Sequence, residues 1–257
     1  MERSPIVFSL LAAVAAFVAS ALSAHAYEVV AVPDGGTIHG KVVFREAHPP
    51  MRKIIPTKDP DVCGGIHEEP QIVLAEDGGV QEAVVFLKDL AAGKAWDEGA
   101  KHPTLDNVGC RYVPRTQVVP KGSELAIANS DPVMHTVHGF FGTNTLFNKP
   151  LWKAKVDKEP LETPGLVRVD CDVHGWMRAW VYVVDNPYYA MTAKDGTFSL
   201  TDVPPGTYTL VSWQEHTGAV EIPVTVKGRQ TLSIVADLKR QAADSTVVQV
   251  LRLSPPG

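Results

Sequence analysis

Short runs of β-branched and aromatic residues alternate with glycine- and proline-rich turns along this chain, and this pattern limits the possible folds more than any other feature. Asp34-Gly35-Gly36, Asp77-Gly78-Gly79 and Lys194-Asp195-Gly196 each separate two such runs. Glycine-containing turns between apolar runs are typical of β-hairpins. No segment shows a sustained helical period. The sequence therefore predicts an all-β fold, either a sandwich or a barrel.

The composition is that of an ordinary globular protein. Of the 257 residues, 45% are hydrophobic and 21% are charged, which excludes collagen-like, coiled-coil and fully disordered classes. This length accommodates one large domain or two small ones. Proteins that bind duplex nucleic acid usually carry a basic surface, whereas this chain has a formal net charge of -5. We therefore expect no nucleic-acid partner.

Residues 1–26 have the pattern of a secretory signal peptide. An apolar stretch from Ile6 to Leu22 is followed by Ala24-His25-Ala26, a small-x-small cleavage signal. Cleavage before Tyr27 would leave a periplasmic or secreted protein with no membrane span. The apolar stretch is close to the lower length limit of a transmembrane helix, so an uncleaved anchor is the alternative.

One loop brings together the residue types of a copper site. Cys171, His174 and Met177 lie between two predicted strands, and a second group, His135-Thr136-Val137-His138, follows an earlier strand. One thiolate, two imidazoles and a weak axial thioether are the ligands of copper electron-transfer sites. Zinc also binds cysteine and histidine but gains little from methionine, so it is the second candidate.

The stretches PVMHTVHG and CDVHGWM resemble the copper motifs of cupredoxins, the blue copper proteins, and the C-x-x-H-x-x-M spacing is similar to that of the amicyanin and plastocyanin-like ligand loop. The resemblance implies a Greek-key β-sandwich or barrel with one type 1 copper ion. It also implies that the ring edge of His174 lies near the surface as the route for electrons. The residues it implies are four ligands, a loop-tying asparagine and a non-ligand histidine: His135, Cys171, His174, Met177, Asn129 and His138.

Several of these assignments have alternatives. His138 could be the ligand in place of His135, Met177 could be an ordinary core residue, and Cys171 could form a disulfide. Four aromatic residues could form an apolar docking patch by the copper or could fill the end of the barrel: Phe140, Phe141, Trp176 and Trp180.

The cysteine count is consistent with a copper thiolate. The chain has three cysteines, so if Cys171 binds copper, Cys63 and Cys110 remain as a pair in an oxidising compartment. We therefore predict a disulfide between Cys63 and Cys110.

The C-terminal stretch AKDGTFSLTDVPPGTYTLVSW resembles carboxypeptidase-regulatory, transthyretin-like modules, which are usually non-catalytic. The whole chain is similar to a group of exported proteins described as methylamine-utilisation-like. These resemblances imply a signal peptide over 1–26, a cupredoxin-like domain over 27–185 with an extended N-terminal part over 27–104, and a small transthyretin-like sandwich over 186–257.

The function that these features favour is that of an exported type 1 copper protein carrying single electrons between periplasmic redox partners, such as a c-type cytochrome or a periplasmic dehydrogenase. Four protein ligands leave no open coordination position for a substrate, so we expect no enzyme activity. Copper storage or delivery is one alternative. A metal-free carbohydrate-binding or adhesion module, with Tyr188, Tyr189 and Trp213 as its stacking platform, is another.

Overall fold

The computed structural model describes residues 27–88 and 90–240, so the predicted signal peptide and the end of the C-terminal domain lie outside it. The described chain contains 20 strands, one turn of α-helix and one 3-10 turn, and the prediction of an all-β fold is confirmed. Among the described residues, we find no helical segment with the length and hydropathy needed to span a bilayer.

The elements are numbered in chain order. The first ten strands are β1 (Glu28–Val29), β2 (Gly36–Phe44), β3 (Arg52–Ile54), β4 (His67–Glu69), β5 (Val84–Lys88), β6 (Ala92–Gly93), β7 (Thr104–Asn107), β8 (Tyr112–Val113), β9 (Thr116–Pro120) and β10 (Ser123–Asn129). The others are β11 (His135–Phe141), β12 (Asn144–Leu151), β13 (Val156–Leu161), β14 (Gly165–Asp170), β15 (Arg178–Val184), β16 (Tyr189–Met191), β17 (Thr197–Val203), β18 (Gly206–Gln214), β19 (Gly218–Val226) and β20 (Thr231–Leu238). The helical turns are α1 (Pro60–Cys63) and the 3-10 turn Glu98–Lys101.

Residues 104–184 form a β-sandwich that we call sandwich A. Its sheets have the strand orders β13-β10-β7-β8 and β12-β11-β14-β15-β9, and neither closes into a barrel. Strand β10 alternates between buried and more exposed residues, which places Leu125, Ile127 and Asn129 on its inner face. Leu125 and Ile127 pack there with Val137 and Val169 from the facing sheet.

A second sandwich, sandwich B, has the strand orders β16-β5-β18-β19 and β17-β2-β20. Its core contains Ile38, Leu87, Leu210 and Leu238. Four of its strands come from residues 197–238, and they include the segment that resembles transthyretin-like modules.

The sequence assigned residues 27–104 to an extended part of the copper domain, but their two longest strands pair with sandwich B. Strand β2 lies between β17 and β20, and β5 lies between β16 and β18. Without β2 and β5, neither sheet of sandwich B would have a continuous centre. The residues after Asp185 therefore need N-terminal strands to complete their two sheets.

The two sandwiches share an apolar interface. Strands β5 and β15 are buried on both faces, which explains their almost uninterrupted apolar sequences, VVFLK and RAWVYVV. Phe86 of β5 packs on Tyr182 of β15, with ring centroids 4.8 Å apart. Beside this cluster, Arg115 of sandwich A donates two hydrogen bonds to Glu215 of sandwich B.

Residues 45–74, which we call the wrap, connect β2 to the hairpin that leads into β5. The wrap contains α1 and the antiparallel pair β3 and β4. A disulfide joins Cys63 at the end of α1 to Cys110 in sandwich A. The wrap is thereby tied to sandwich A, although it follows a strand of sandwich B.

Candidate metal centre

The first ligand candidate, His135, begins strand β11 and is completely buried. Its Nε2 donates a hydrogen bond to Oδ2 of Asp131, 2.9 Å away. Because that nitrogen carries the proton, Nδ1 presents a lone pair to the interior of the cluster. Burial, with the neighbouring His174, lowers the pKa of His135 although Asp131 opposes the shift, and this favours a neutral, ligating imidazole.

Asp131 organises the loop before His135. Its two carboxylate oxygens also accept the backbone N–H groups of Gly109 and Cys110, at 2.6 and 2.8 Å. Asn129 supports the same loop, since its side chain donates to the carbonyls of Val133 and Leu151 and accepts from the N–H of Asp131. The orientation of His135 is therefore fixed by a continuous set of buried and partly buried hydrogen bonds.

Cys171 directly follows strand β14 and is a buried free thiol. Its Sγ lies 3.9 Å from Nδ1 of His135 and 3.8 Å from Nδ1 of His174. The backbone N–H of His174 is directed at the same sulfur, at 3.4 Å. Such a donor stabilises a thiolate, because it points a partial positive charge at the sulfur.

His174 is also completely buried, and its partner comes from the wrap. Its Nε2 donates to Oδ2 of Asp59, at 2.9 Å, and Asp59 immediately precedes α1. The resemblance to cupredoxins implied a His174 ring edge near the surface. Here the wrap covers that edge, because the disulfide holds α1 against sandwich A and both disulfide sulfurs lie within 4.8 Å of a His174 nitrogen.

The three side chains converge on one point. The Nδ1 atoms of His135 and His174 are 3.0 Å apart, and each Nε2 already donates its proton to a carboxylate. Two facing nitrogen lone pairs at this distance repel unless a cation or a proton lies between them. A thiolate with two neutral imidazoles, each held by a carboxylate, is a donor set that fits a soft or borderline metal ion.

Met177 and His138 have different relations to this cluster. Met177 is buried in the same core as Cys171, and its N–H donates to the carbonyl of His174 across a tight turn. His138 lies on the opposite face of β11 from His135 and bonds to Asp172 and Thr145.

Thr136 and Tyr112 hold the two ligand loops together. Oγ1 of Thr136 accepts the N–H of Asp172 at 2.7 Å. The Tyr112 hydroxyl lies 3.1 Å from the carbonyl of Thr136 and 3.0 Å from that of Asp170, and burial raises its pKa far above the ordinary value. Asn129, which was expected to tie the two loops, bonds within the first loop and to β12.

Sequence reasoning did not identify Asp59, Tyr112, Asp131 or Thr136. Asp131 had a weak local signal, because it lies four residues before His135. Asp59 had none, since it is 115 residues away from His174.

The four aromatic residues considered for a docking patch are dispersed. Trp176 packs against His174, Trp180 packs against Trp213 at the interface of the sandwiches, and Phe140 contacts His138. Phe141 packs against the core of sandwich A. The three residues considered as a glycan platform do not form one exposed surface either: Tyr188 is fully buried, Trp213 is buried and Tyr189 is partly buried.

One known family is similar to part of the chain. The family described as polysaccharide lyase family 4, domain II matches residues 163–234, a stretch that begins in sandwich A and ends in sandwich B. No curated protein sequence matches the chain.

Several solved structures are similar to part of the chain. A Cu-containing nitrite reductase (NirK) from Thermus scotoductus SA-01 is 18% identical, with 33% of this chain and 22% of the reductase covered and a TM-score of 0.31. The purple cupredoxin of Nitrosopumilus maritimus is 21% identical over 32% of this chain and 99% of its own, with a TM-score of 0.30. Amicyanin from Paracoccus versutus (Thiobacillus versutus) is 17% identical over 33% of this chain and 83% of its own, also with a TM-score of 0.30.

Proposed function

We propose that the protein binds one copper ion through His135, Cys171 and His174, with Met177 as a weak fourth ligand, and carries single electrons as an exported type 1 copper protein. The observation that carries this proposal is the convergence of one buried thiol and two Nδ1 atoms within 4 Å of one another. Each Nε2 is engaged by a carboxylate, so all the free donor atoms face the same point.

The donor set favours copper over zinc. Thiolate and thioether favour Cu(I), and imidazole accepts both oxidation states of copper. Zinc prefers four strong ligands, whereas the fourth candidate here is the thioether of Met177.

The surrounding residues keep the ligands in one arrangement. Asp131 and Asp59 fix the ring orientation and the tautomer of their histidines, and the N–H of His174 stabilises negative charge on Cys171. Both histidines, Cys171 and Met177 are buried, which excludes water from the cluster. Copper bound there would supply one-electron redox chemistry. Since four protein ligands leave no position for a substrate, the proposed role is that of a carrier rather than an enzyme.

The proposed compartment and partners follow from this role. The signal-peptide pattern of residues 1–26 supports export to the periplasm or beyond. A c-type cytochrome or a periplasmic dehydrogenase is the kind of partner with which such a protein would exchange electrons.

Visible and electron paramagnetic resonance spectra of the protein from Tyr27 onward, loaded with Cu(II), test this proposal. We expect an intense thiolate-to-copper band and a narrow copper hyperfine splitting. Cys171→Ser and His135→Ala should each abolish the band, because each removes a ligand. The matched control is His138→Ala, which alters the other histidine of the same strand and should keep the band. An ordinary tetragonal copper signal, or a band that survives Cys171→Ser, would contradict the assignment.

Transfer of copper to a chelator separates an electron carrier from a storage or delivery protein. A buried cluster with all its ligands pre-arranged should release copper slowly. Rapid and complete transfer would favour storage or delivery.

A further inference from the structure

The edge of His174 is closed to a partner protein. The histidine is 0% exposed, and Asp59 occupies the position next to Nε2. The disulfide between Cys63 and Cys110 lies against the same ring and holds the covering segment in place. Electrons that enter or leave the cluster need another route to the surface.

Trp176 provides such a route. Its ring packs edge-on against His174, with centroids 5.1 Å apart, and it is only partly buried. Trp176 and Met177 line a groove of about 280 Å³, whose wall also includes Tyr112 and Cys110. The groove is therefore a place where the ligand loop itself is accessible from the surface.

The groove is positively charged, in contrast to the chain as a whole. Arg111, Arg115 and Arg178 line it together with Glu69, which gives a local sum of +2, whereas the whole chain carries -5. The side chains of Arg111 and Arg178 are 55% and 43% exposed. The Arg, Asp and Glu groups that pair directly with these four residues are Arg52, Asp170 and Glu215, and they lower the sum to +1. Arg168, which pairs with Asp170, returns it to +2.

We propose that this groove is the electron-exchange face, and that it docks a redox protein whose own exchange face is acidic, with Trp176 in contact with that partner. The inference rests on the proposed function. In the step itself, one electron leaves the reduced, copper-loaded protein and reduces one ferric haem of the partner to ferrous haem. No bond is made or broken and no proton moves.

Two other occupants fit the groove less well. A symmetric contact with a second copy would place the same positive groove against itself, and the two would repel. A small organic acid would need free cationic donors, but Arg111, Arg115 and Arg178 are already engaged with carboxylates. A partner surface with several acidic groups can instead respond to the net field of the groove.

The test uses one cytochrome in two forms, unmodified and basic, or lysine-succinylated and acidic. First, the copper-free, 15N-labelled protein is titrated with each form. We expect the acidic form to shift the indole N–H resonance of Trp176 and leave that of Trp152, which is 59% exposed and does not line the groove, unchanged. This measurement needs no copper, so it reports docking alone.

Second, the rate of electron transfer from the reduced copper protein to each ferric form is measured at about 0.1 M ionic strength, where charges act over about 10 Å. The acidic form should react faster. Arg111→Glu should slow it by about tenfold, because it removes local electrostatic steering. Arg229→Glu, the same reversal on an exposed residue of sandwich B, should change the rate by less than about twofold. Trp176→Leu should slow both forms while the thiolate-to-copper band is retained.

Each outcome of these measurements either supports or overturns the proposal. A faster reaction with the basic form, or equal rates for Arg111→Glu and Arg229→Glu, would overturn the groove as the docking face while the copper band, if present, upholds the proposed function. A dimer that Arg111→Glu dissociates would assign the groove to a second copy and overturn the proposal. Without a thiolate-to-copper band, the proposed function and the electron exchange both fail, even if the acidic cytochrome docks.

Discussion

The two histidines of the candidate centre are alike in geometry and differ in how the chain supports them. Each is fully buried, each directs Nδ1 at Cys171, and each donates Nε2–H to a carboxylate at 2.9 Å. For His135 that carboxylate is Asp131, four residues earlier in the same loop. For His174 it is Asp59, 115 residues earlier in the wrap.

This difference determines which part of the chain positions each histidine, and we call the two parts of the centre the His135 half and the His174 half. The His135 half forms when one loop closes, which orders few residues. The His174 half requires the wrap to be placed across sandwich A, and ordering such a segment has a large entropic cost. The disulfide offsets part of that cost, because it restricts the unfolded chain. We therefore expect the His174 half to be the one that changes when the wrap is loosened.

Removal of the disulfide should have the largest effect. The double variant Cys63→Ala/Cys110→Ala opens a loop with a sequence separation of 47 residues, and we expect the free energy of unfolding to fall by about 3–4 kcal/mol. In the copper-free protein, diethyl pyrocarbonate should then modify His174 while His135 stays protected. Denaturant titration and peptide mass analysis measure the two effects.

The matched control for that variant is the same treatment of the native protein, in which both histidines should be protected. Equal reactivity of His135 and His174 in the double variant would show that the two halves are not supported independently. An unchanged free energy of unfolding would show that the wrap holds without the bridge.

The two carboxylate partners should differ in how much they contribute to the free energy of unfolding, and both contributions should be smaller than that of the disulfide. Asp131 is 5% exposed and its oxygens accept from two backbone N–H groups as well as His135, so Asp131→Asn leaves buried donors unpaired and should destabilise by about 1–3 kcal/mol. The side chain of Asp59 is 40% exposed, so Asp59→Asn should cost less than about 1 kcal/mol. Denaturant titration of both copper-free variants checks the order, and a larger loss for Asp59→Asn would reverse the comparison.

Lowering the pH should weaken the attachment of the wrap to sandwich A, because Glu69 becomes protonated. We expect this effect on stability to be smaller than those of the disulfide and of the carboxylate partners. Burial by itself would raise the pKa of Glu69, but the hydrogen bond from Arg52 and the charges of Arg111 and Arg115 outweigh it and lower the pKa; His67 lies 3.5 Å away. A carboxyl whose pKa is lower in the folded state stabilises the fold above its unfolded pKa of about 4.3, and that contribution is lost as the pH falls below it.

The measurement is the unfolding free energy between pH 7 and pH 3 for the native protein and for Glu69→Gln. The variant should be less stable near pH 7, and its difference from the native protein should shrink as the pH falls. A constant difference would mean that Glu69 does not link pH to the attachment of the wrap.

More features of sandwich A than of the other regions could be predicted from the sequence. The spacing of the candidate ligands in 171–177 and the alternation in β10 are local patterns, so both could be recognised directly in the sequence. The pairing of Cys63 with Cys110 followed from the count of three cysteines once Cys171 was taken as a metal ligand. The assignment of β2 and β5 to sandwich B could not be obtained in this way, because alternation identifies a strand and not its neighbour.

By itself, the sequence determined that the chain is all-β, which residues are the candidate ligands of a soft metal ion, and that three of these share one loop. Only the tertiary structure decided that β2 and β5 complete sandwich B, and that Asp59 and the disulfide close the surface over His174 while Trp176 faces a positive groove. The physical reason is the separation along the chain of the residues that determine each feature. Strand period, turn chemistry and ligand spacing are set within about ten residues, whereas burial and charge at the site depend on segments brought together from distant parts of the chain.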